Sequence, residues 1–372
     1  MIRTVLKKIL YGFYLIIAVL VLAEIVFRIY DPFRFSVKGN VIMLESNLHQ
    51  KSINDSIPGI EREIVINRNE LGFRGEHKPV FLQDYLSIVA IGGSTTECKY
   101  ISDNKTWVDV MALRLSQNYN KVWVNNAGLS GHTTFGHQVL LIDHIVSIRP
   151  KVALFLIGAN DMALKDTSIW DKNSFINHYS SIKNFLLKKT VTGNIVINLW
   201  RARKAAVNNL TDKFYDLKKA KGNEVKYDSV YEKSELMKQE EFLPAFRKRV
   251  NQLVDTCEKY KIIPVLITQP CMLGKGIDAV SGADLALVPA TKNANGELFN
   301  QMLEMYNDVT RSVGRNRNVV VIDLAEKLEK GGGYFYDILH FNLEGNRRVA
   351  EIITISMDSL LKVQFKTYLK KP

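Results

Sequence analysis

The stretch Leu86-Ser87-Ile88-Val89-Ala90-Ile91-Gly92-Gly93-Ser94-Thr95-Thr96-Glu97 runs from an apolar block into two glycines and then into hydroxyl side chains. An apolar run this short reads as a strand buried on both faces, and the paired glycines read as a tight turn at its end. Four similar runs follow, at Lys121–Asn125, Val152–Ile157, Ile262–Thr268 and Val319–Ile322. Segments of helical length lie between or after them, at Lys105–Gln117, Gly136–Ser147, Pro244–Tyr260, Leu298–Val313 and Leu343–Val363. Strand alternating with helix five times predicts a doubly wound α/β sheet.

In open sheets of this kind ligands bind beyond the carboxyl ends of the strands, so the residues after each strand carry the candidate chemistry. After the first, Ser94 is expected at the start of a helix, where free N–H groups and a positive dipole end would suit a nucleophile. The plainer reading of Ser94 is a helix N-cap. After the second comes Asn126-Ala127-Gly128-Leu129-Ser130-Gly131-His132-Thr133-Thr134, and after the third Gly158-Ala159-Asn160-Asp161. A glycine N–H and an asparagine amide aimed at one point would make an oxyanion hole, although each block alone is ordinary turn chemistry. Beyond the fifth strand stands Tyr336-Asp337-Ile338-Leu339-His340-Phe341-Asn342. An acid three residues before a histidine can orient the imidazole so that it takes a proton from serine.

These four blocks, in this order, resemble those of the SGNH, or GDSL-type, hydrolases. The resemblance implies a three-layer α/β/α sandwich with a five-stranded parallel sheet, flavodoxin-like in layout. It implies that Ser94 is the nucleophile, His340 the general base and Asp337 its orienting acid. It implies an oxyanion hole formed by Ser94 N–H, Gly131 N–H and the Asn160 side chain. Gly93 stands where the family usually carries an acid. The lead-in Asn69-Glu70-Leu71-Gly72-Phe73-Arg74-Gly75 also resembles a segment seen in membrane-anchored bacterial members, with no chemistry assigned to Arg74.

The chain begins with Arg3, Lys7 and Lys8 ahead of an apolar run from Ile9 to Phe27, broken only by Glu24. As a helix this run is about 28 Å long, close to the hydrocarbon thickness of a bilayer. The basic residues before it favour an amino terminus held inside, with the remainder of the chain exported. Val21-Leu22-Ala23 offers a signal-peptide cleavage site, but the apolar pattern continues past it, so residues 1–30 are expected to be a membrane anchor. Residues 31–84 read as a linker and an irregular cap, and residues 85–365 as the catalytic domain. An insertion at about 166–243, rich in charges of both signs, reads equally as a solvated helical excursion or as a lid.

The 372 residues are 47% hydrophobic and 24% charged, an ordinary globular composition, with a formal net charge of +12. The basic residues are scattered and match no nucleic-acid motif, so nucleic acid is not an expected partner. Cys98, Cys257 and Cys271 lack the spacing of a zinc site or a disulfide scaffold, though one disulfide stays open; Cys98 reads as a buried helix cysteine. His132, His137 and His144 do not form a metal motif, and Gly331-Gly332-Gly333 is a flexible approach to His340 and not a phosphate loop. No cofactor and no metal is expected.

The expected reaction is hydrolysis of O-acyl esters, O-acetyl above all, on an extracytoplasmic glycan through an acyl-serine intermediate. The membrane is the second partner, through the amino-terminal helix. The alternatives are an O-acyltransferase to a sugar hydroxyl, a lipid-directed esterase or lysophospholipase, and a non-catalytic glycan-binding pseudoenzyme.

Overall fold

The computed structural model describes residues 2–30, 37–38, 41–164, 190–207 and 213–371. The chain divides into two compact units, one of residues 1–45 with 173–211 and the other of 46–172 with 212–372. The parts of the expected insertion at 166–189 and 208–212, and the start of the expected linker at 31–36, lie outside the described residues.

The larger unit is built on a sheet. Its strands are β1 (Leu48–Ile53), β2 (Glu63–Arg68), β3 (Arg74–Gly75), β4 (Leu86–Gly92), β5 (Val122–Asn126), β6 (Val152–Ile157), β7 (Ile263–Thr268) and β8 (Val320–Ile322). β1 and β2 form a separate antiparallel hairpin in register Leu48↔Arg68 to Ile53↔Glu63. The main sheet has the order β8-β7-β6-β4-β5-β3. β4 to β8 run parallel, as the buried apolar runs predict, and every residue of β4 and β6 is buried. The sheet has a sixth strand beyond the five expected: β3 pairs antiparallel with β5 at one edge. Two residues cannot display the alternation by which a strand is read, so this one was invisible in sequence.

The chain leaves β4 for β5 on one side and then returns across it to β6 on the other. That reversal opens a crevice at the carboxyl end of β4, the topological switch point where such folds bind ligands. Helices cover the sheet. Trp107–Asn118 packs with Leu343–Gln364 through Trp107, Met111 and Leu115 against Val349, Ile353 and Leu361, all buried. Leu243–Lys259 and Gly296–Arg317 pack on each other and on β7. The first of these helices starts at a capping box in which Thr106 and Asp109 satisfy each other's backbone N–H. The segment expected as one helix over Gly136–Ser147 is interrupted. Thr134–Leu140 is α-helical, Leu141–Ile145 is a π turn, and Val146–Ile148 resumes.

Two further readings change. Gly331–Gly333 is pinned: Gly332 N–H donates to Asp278 at 2.8 Å, and a Cβ on Gly331 would lie 2.6 Å from the Asp278 carboxylate. Cys98 is not inside a helix but follows one, in left-handed conformation, and all three cysteines are free and buried. The described end of the insertion, residues 213–243, contains the helices Leu217–Ala220 and Ser229–Glu240 and packs on the catalytic unit. Tyr215 N–H donates to the Tyr336 carbonyl at 2.9 Å, and its hydroxyl donates to Pro289 O at 2.5 Å.

An ion pair is buried where β6 meets the helices. Asp161 and Arg249, each 1% exposed, approach to 2.9 Å, and Asp161 also accepts from the Thr134 hydroxyl at 2.6 Å. Removing one member of such a pair strands the other charge in a dry site. Arg249→Leu is therefore expected to destabilise the fold by about 3–5 kcal/mol. Urea unfolding followed by tryptophan fluorescence reads this directly, and Asp161→Asn added to it should recover part of the loss.

In the smaller unit the amino-terminal helix, Ile2–Ile29, is long and apolar enough over Arg3–Ile29 to cross a membrane. The other described helix there is Val191–Val207.

Candidate active site

Ser94 follows β4 directly, in a helical turn of only four residues, Ser94–Glu97. Its N-cap is Gly93, whose carbonyl accepts from Thr96 N–H and Glu97 N–H, so Ser94 is not itself the cap. A single turn has little macrodipole, so the expected dipole contribution is small. Position is what the turn supplies.

The hydroxyl of Ser94 lies 2.7 Å from His340 Nε2. His340 Nδ1 lies 2.7 Å and 2.9 Å from the two carboxylate oxygens of Asp337. With Nδ1–H given to the carboxylate, Nε2 is left as the acceptor for the serine proton. The Asp337 carboxylate also accepts from the Leu339 and His340 N–H groups at 2.9 Å and 2.7 Å. It is thus fixed from two sides before it meets the imidazole.

The loop that bears the pair is a small hairpin. Tyr336 N–H donates to His340 O, and Asn342 N–H donates to Tyr334 O, both at 3.0 Å, while the Phe335 and Phe341 rings pack at 5.4 Å. The Tyr336 ring stacks on the His340 ring at 5.5 Å with the planes 11° apart, and Tyr100 meets Tyr336 edge-on at 6.2 Å. An aromatic face stacked on the imidazole limits its rotation.

Asn160 stands in the turn after β6. One amide hydrogen is given to the His132 carbonyl at 3.0 Å, which orients the group and leaves its second hydrogen for another acceptor. A Cβ on Gly93 would lie 2.6 Å from Asn160 Nδ2, so any side chain at 93 would push the amide away. Ser94, Asn160, His132, His137, Gln269 and Leu339 are among the walls of one narrow cleft with about 20 Å³ of interior space. Gly131, with φ +77°, belongs to the neighbouring loop and is not a wall of that cleft. Burial pushes the His137 imidazole down to about 3, with His132 adding to the effect, so it is neutral at ordinary pH.

Two side chains without an expected role hold the serine turn. Arg74, 1% exposed, donates to the carbonyls of Glu97, Cys98 and Ile101 at 2.8, 2.9 and 2.7 Å, and to Asp103 at 2.9 Å. It gathers the carbonyls left open where the turn ends. Glu97 reaches the other way, accepting from Arg68 at 2.7 Å and from the N–H of Ser130 at 2.9 Å, as well as from the Ser130 hydroxyl. Burial alone would raise the Glu97 carboxyl; the Arg68 charge and the Ser130 donors outweigh it and hold it below the usual range. Through Ser130 the loop containing Gly131 is tied to the serine turn. Gly128 completes the contact, since a Cβ there would sit 2.3 Å from Glu97 N. Among the described residues no group of His, Cys, Asp and Glu is arranged to hold a metal ion.

Asp337→Asn keeps the size of the side chain but lets His340 adopt the wrong tautomer, and is expected to lower kcat by about 10³–10⁴-fold. Arg74→Met loosens the serine turn from a distance, and a loss on the order of 10- to 100-fold in kcat is expected. Steady-state kinetics on a chromogenic ester measures both.

Residues 90–348 match the GDSL-like lipase/acylhydrolase family. No curated protein matches the sequence. Among solved structures, an α/β hydrolase from the metagenome of Lake Arreo, Spain, is 13% identical, with 74% of this chain and 97% of that one covered and a TM-score of 0.41. The acetyl xylan esterase AlAXEase is 16% identical over 72% and 97%, with a TM-score of 0.39. The acetylxylan esterase Axe2 from Geobacillus stearothermophilus is 13% identical over 73% and 93%, also at 0.39. Likenesses this distant say nothing of substrate. The family match takes in the end of β4, the serine turn, both following loops and the Asp337–His340 hairpin, and by it the chain belongs to the GDSL-like lipase/acylhydrolase family of serine ester hydrolases.

Proposed function

We propose that Ser94 is the nucleophile of an esterase that removes short acyl groups, acetyl above all, from a glycan outside the cytoplasm. The observation that carries the reading is the hydrogen-bonded series Asp337–His340–Ser94 opening on a cleft that also contains Asn160. His340 takes the serine proton as Oγ attacks the ester carbonyl, and the oxyanion is met by the free Asn160 hydrogen and the Ser94 N–H, with the Gly131 N–H a third donor only if its loop moves toward the cleft. The charged imidazole then protonates the leaving alkoxide. Water, deprotonated by the same imidazole, attacks the acyl-serine and returns Ser94 to its starting state.

Support for a short acyl group comes from the cleft. Its interior space is only about 20 Å³, room for the smallest groups, and Leu156, Ile157 and Leu339 stand among its walls beside Asn160 and His132. Support for an exported domain comes from Arg3, Lys7 and Lys8 ahead of the apolar helix. An anchored enzyme with these features suits an acetylated polymer at the cell surface as substrate, and the membrane as its second partner.

The test compares p-nitrophenyl acetate with p-nitrophenyl octanoate. The acetate is expected to have the higher kcat/KM, and Ser94→Ala and His340→Ala are each expected to abolish turnover. A preference for octanoate would overturn the short-acyl reading in favour of lipid esters.

A further inference from the structure

Glu24 is the one acid inside the apolar run of the amino-terminal helix, and an ionisable residue at that depth calls for a partner. It has several. Its carboxylate accepts from the N–H groups of Val191 and Thr192, each at 3.0 Å, from the Thr192 hydroxyl at 2.9 Å, and from Arg28 Nε at 2.8 Å. Glu24 thus caps the start of the Val191–Val207 helix, a task usually done by a residue of the helix's own chain end. The Thr190 hydroxyl takes the next donor, Gly193 N–H, at 3.0 Å. The amides of Asn194 and Asn198 fold back onto the Thr190 and Asn194 carbonyls at 2.8 and 2.9 Å. Such complete internal satisfaction is what a helix end needs where no water is present.

The contacts continue down the span. Ile17, Leu20, Val21 and Ile25 share an apolar groove with Gly193 and Val196. Ile17 is near the middle of the Ile9–Phe27 run, so a residue beside it lies at the depth of the hydrocarbon. Val196 and Leu199 are nonetheless 58% and 53% exposed within the protein. Whatever surrounds the span at that level also surrounds them.

We propose that the Val191–Val207 helix is a second membrane-embedded element, held beside the span by Glu24, with Val196 and Leu199 covered by lipid acyl chains. The uncharged part, Val191–Trp200, is about 15 Å long, half the hydrocarbon thickness, so it enters the bilayer without crossing it. The partner is the bilayer itself. The inference rests on the membrane-anchored reading of the amino-terminal helix and is independent of the esterase assignment.

Cysteine accessibility tests it, helped by the burial of all three native cysteines. Full-length Val196→Cys and Val280→Cys are placed in nanodiscs of phosphatidylethanolamine and phosphatidylglycerol and treated with a membrane-impermeant maleimide. Val280 is 71% exposed in the catalytic unit and serves as the freely labelled reference. Val196→Cys is expected to label at least tenfold more slowly, and adding Glu24→Ala is expected to raise its rate to near the reference. Hydrolysis of p-nitrophenyl acetate by each variant reports whether the catalytic unit is intact. Equal labelling at 196 and 280 would overturn the embedded helix. Protection at 196 that survives Glu24→Ala would overturn the role given to Glu24.

Discussion

A hydrogen bond of 2.7 Å joins Ser94 to His340 across 246 residues of chain, and the rest of the catalytic unit is organised around keeping it. The serine is fixed by what lies behind it. Gly93 begins the turn, and Arg74 gathers the carbonyls at its end. The histidine is fixed by a hairpin whose backbone bonds, Phe335–Phe341 contact and Tyr336 stack leave the imidazole little freedom. Neither side chain would reach the other if β4 were not central. Because the chain reverses around β4, the loops after β4, β5 and β6 end at one place, and the hairpin after β8 closes over it. Asn346 joins the two halves, donating to the Phe341 carbonyl at 3.2 Å and accepting from Trp107 N–H at 2.8 Å.

Much of this was legible in the sequence, for a physical reason. A strand buried on both faces must be apolar throughout, so β4 to β8 stand out as runs bounded by turn residues. The Ser94, Asn160 and Asp337–His340 blocks were legible because each follows a strand end where a parallel sheet puts its chemistry. What escaped reading depends on contacts distant in sequence. Arg74 acts through three main-chain carbonyls more than twenty residues away, and no side-chain pattern announces a main-chain partner. Its position in the strand β3 was hidden as well, since two residues show no period. Glu97 reads as an ordinary surface acid until Arg68 and Ser130 are seen around it. Glu24 was conspicuous as a break in an apolar run, but its partners are main-chain N–H groups in an insertion that read equally as a solvated helical excursion or as a lid.

The two units place different demands on polar groups. In the catalytic unit, buried polar groups are paired to hold geometry: Asp161 with Arg249, Asp337 with His340, and Glu97 with Arg68 and Ser130. Each fixes a loop that delivers a reacting or orienting group. In the smaller unit Glu24 satisfies the N–H donors at the start of the Val191–Val207 helix, donors that the helix's own chain leaves open. The first unit uses its charges to fix loops, the second to end a helix.

The central claim is that His340, held by Asp337, makes Ser94 the one reactive nucleophile of the chain. Treatment of the full-length protein with a fluorophosphonate, followed by peptide mass spectrometry, tests it most directly. The account predicts a single phosphonylated residue, Ser94, with labelling slowed by orders of magnitude in His340→Ala. Modification at another residue, or unchanged labelling of Ser94 without His340, would contradict it.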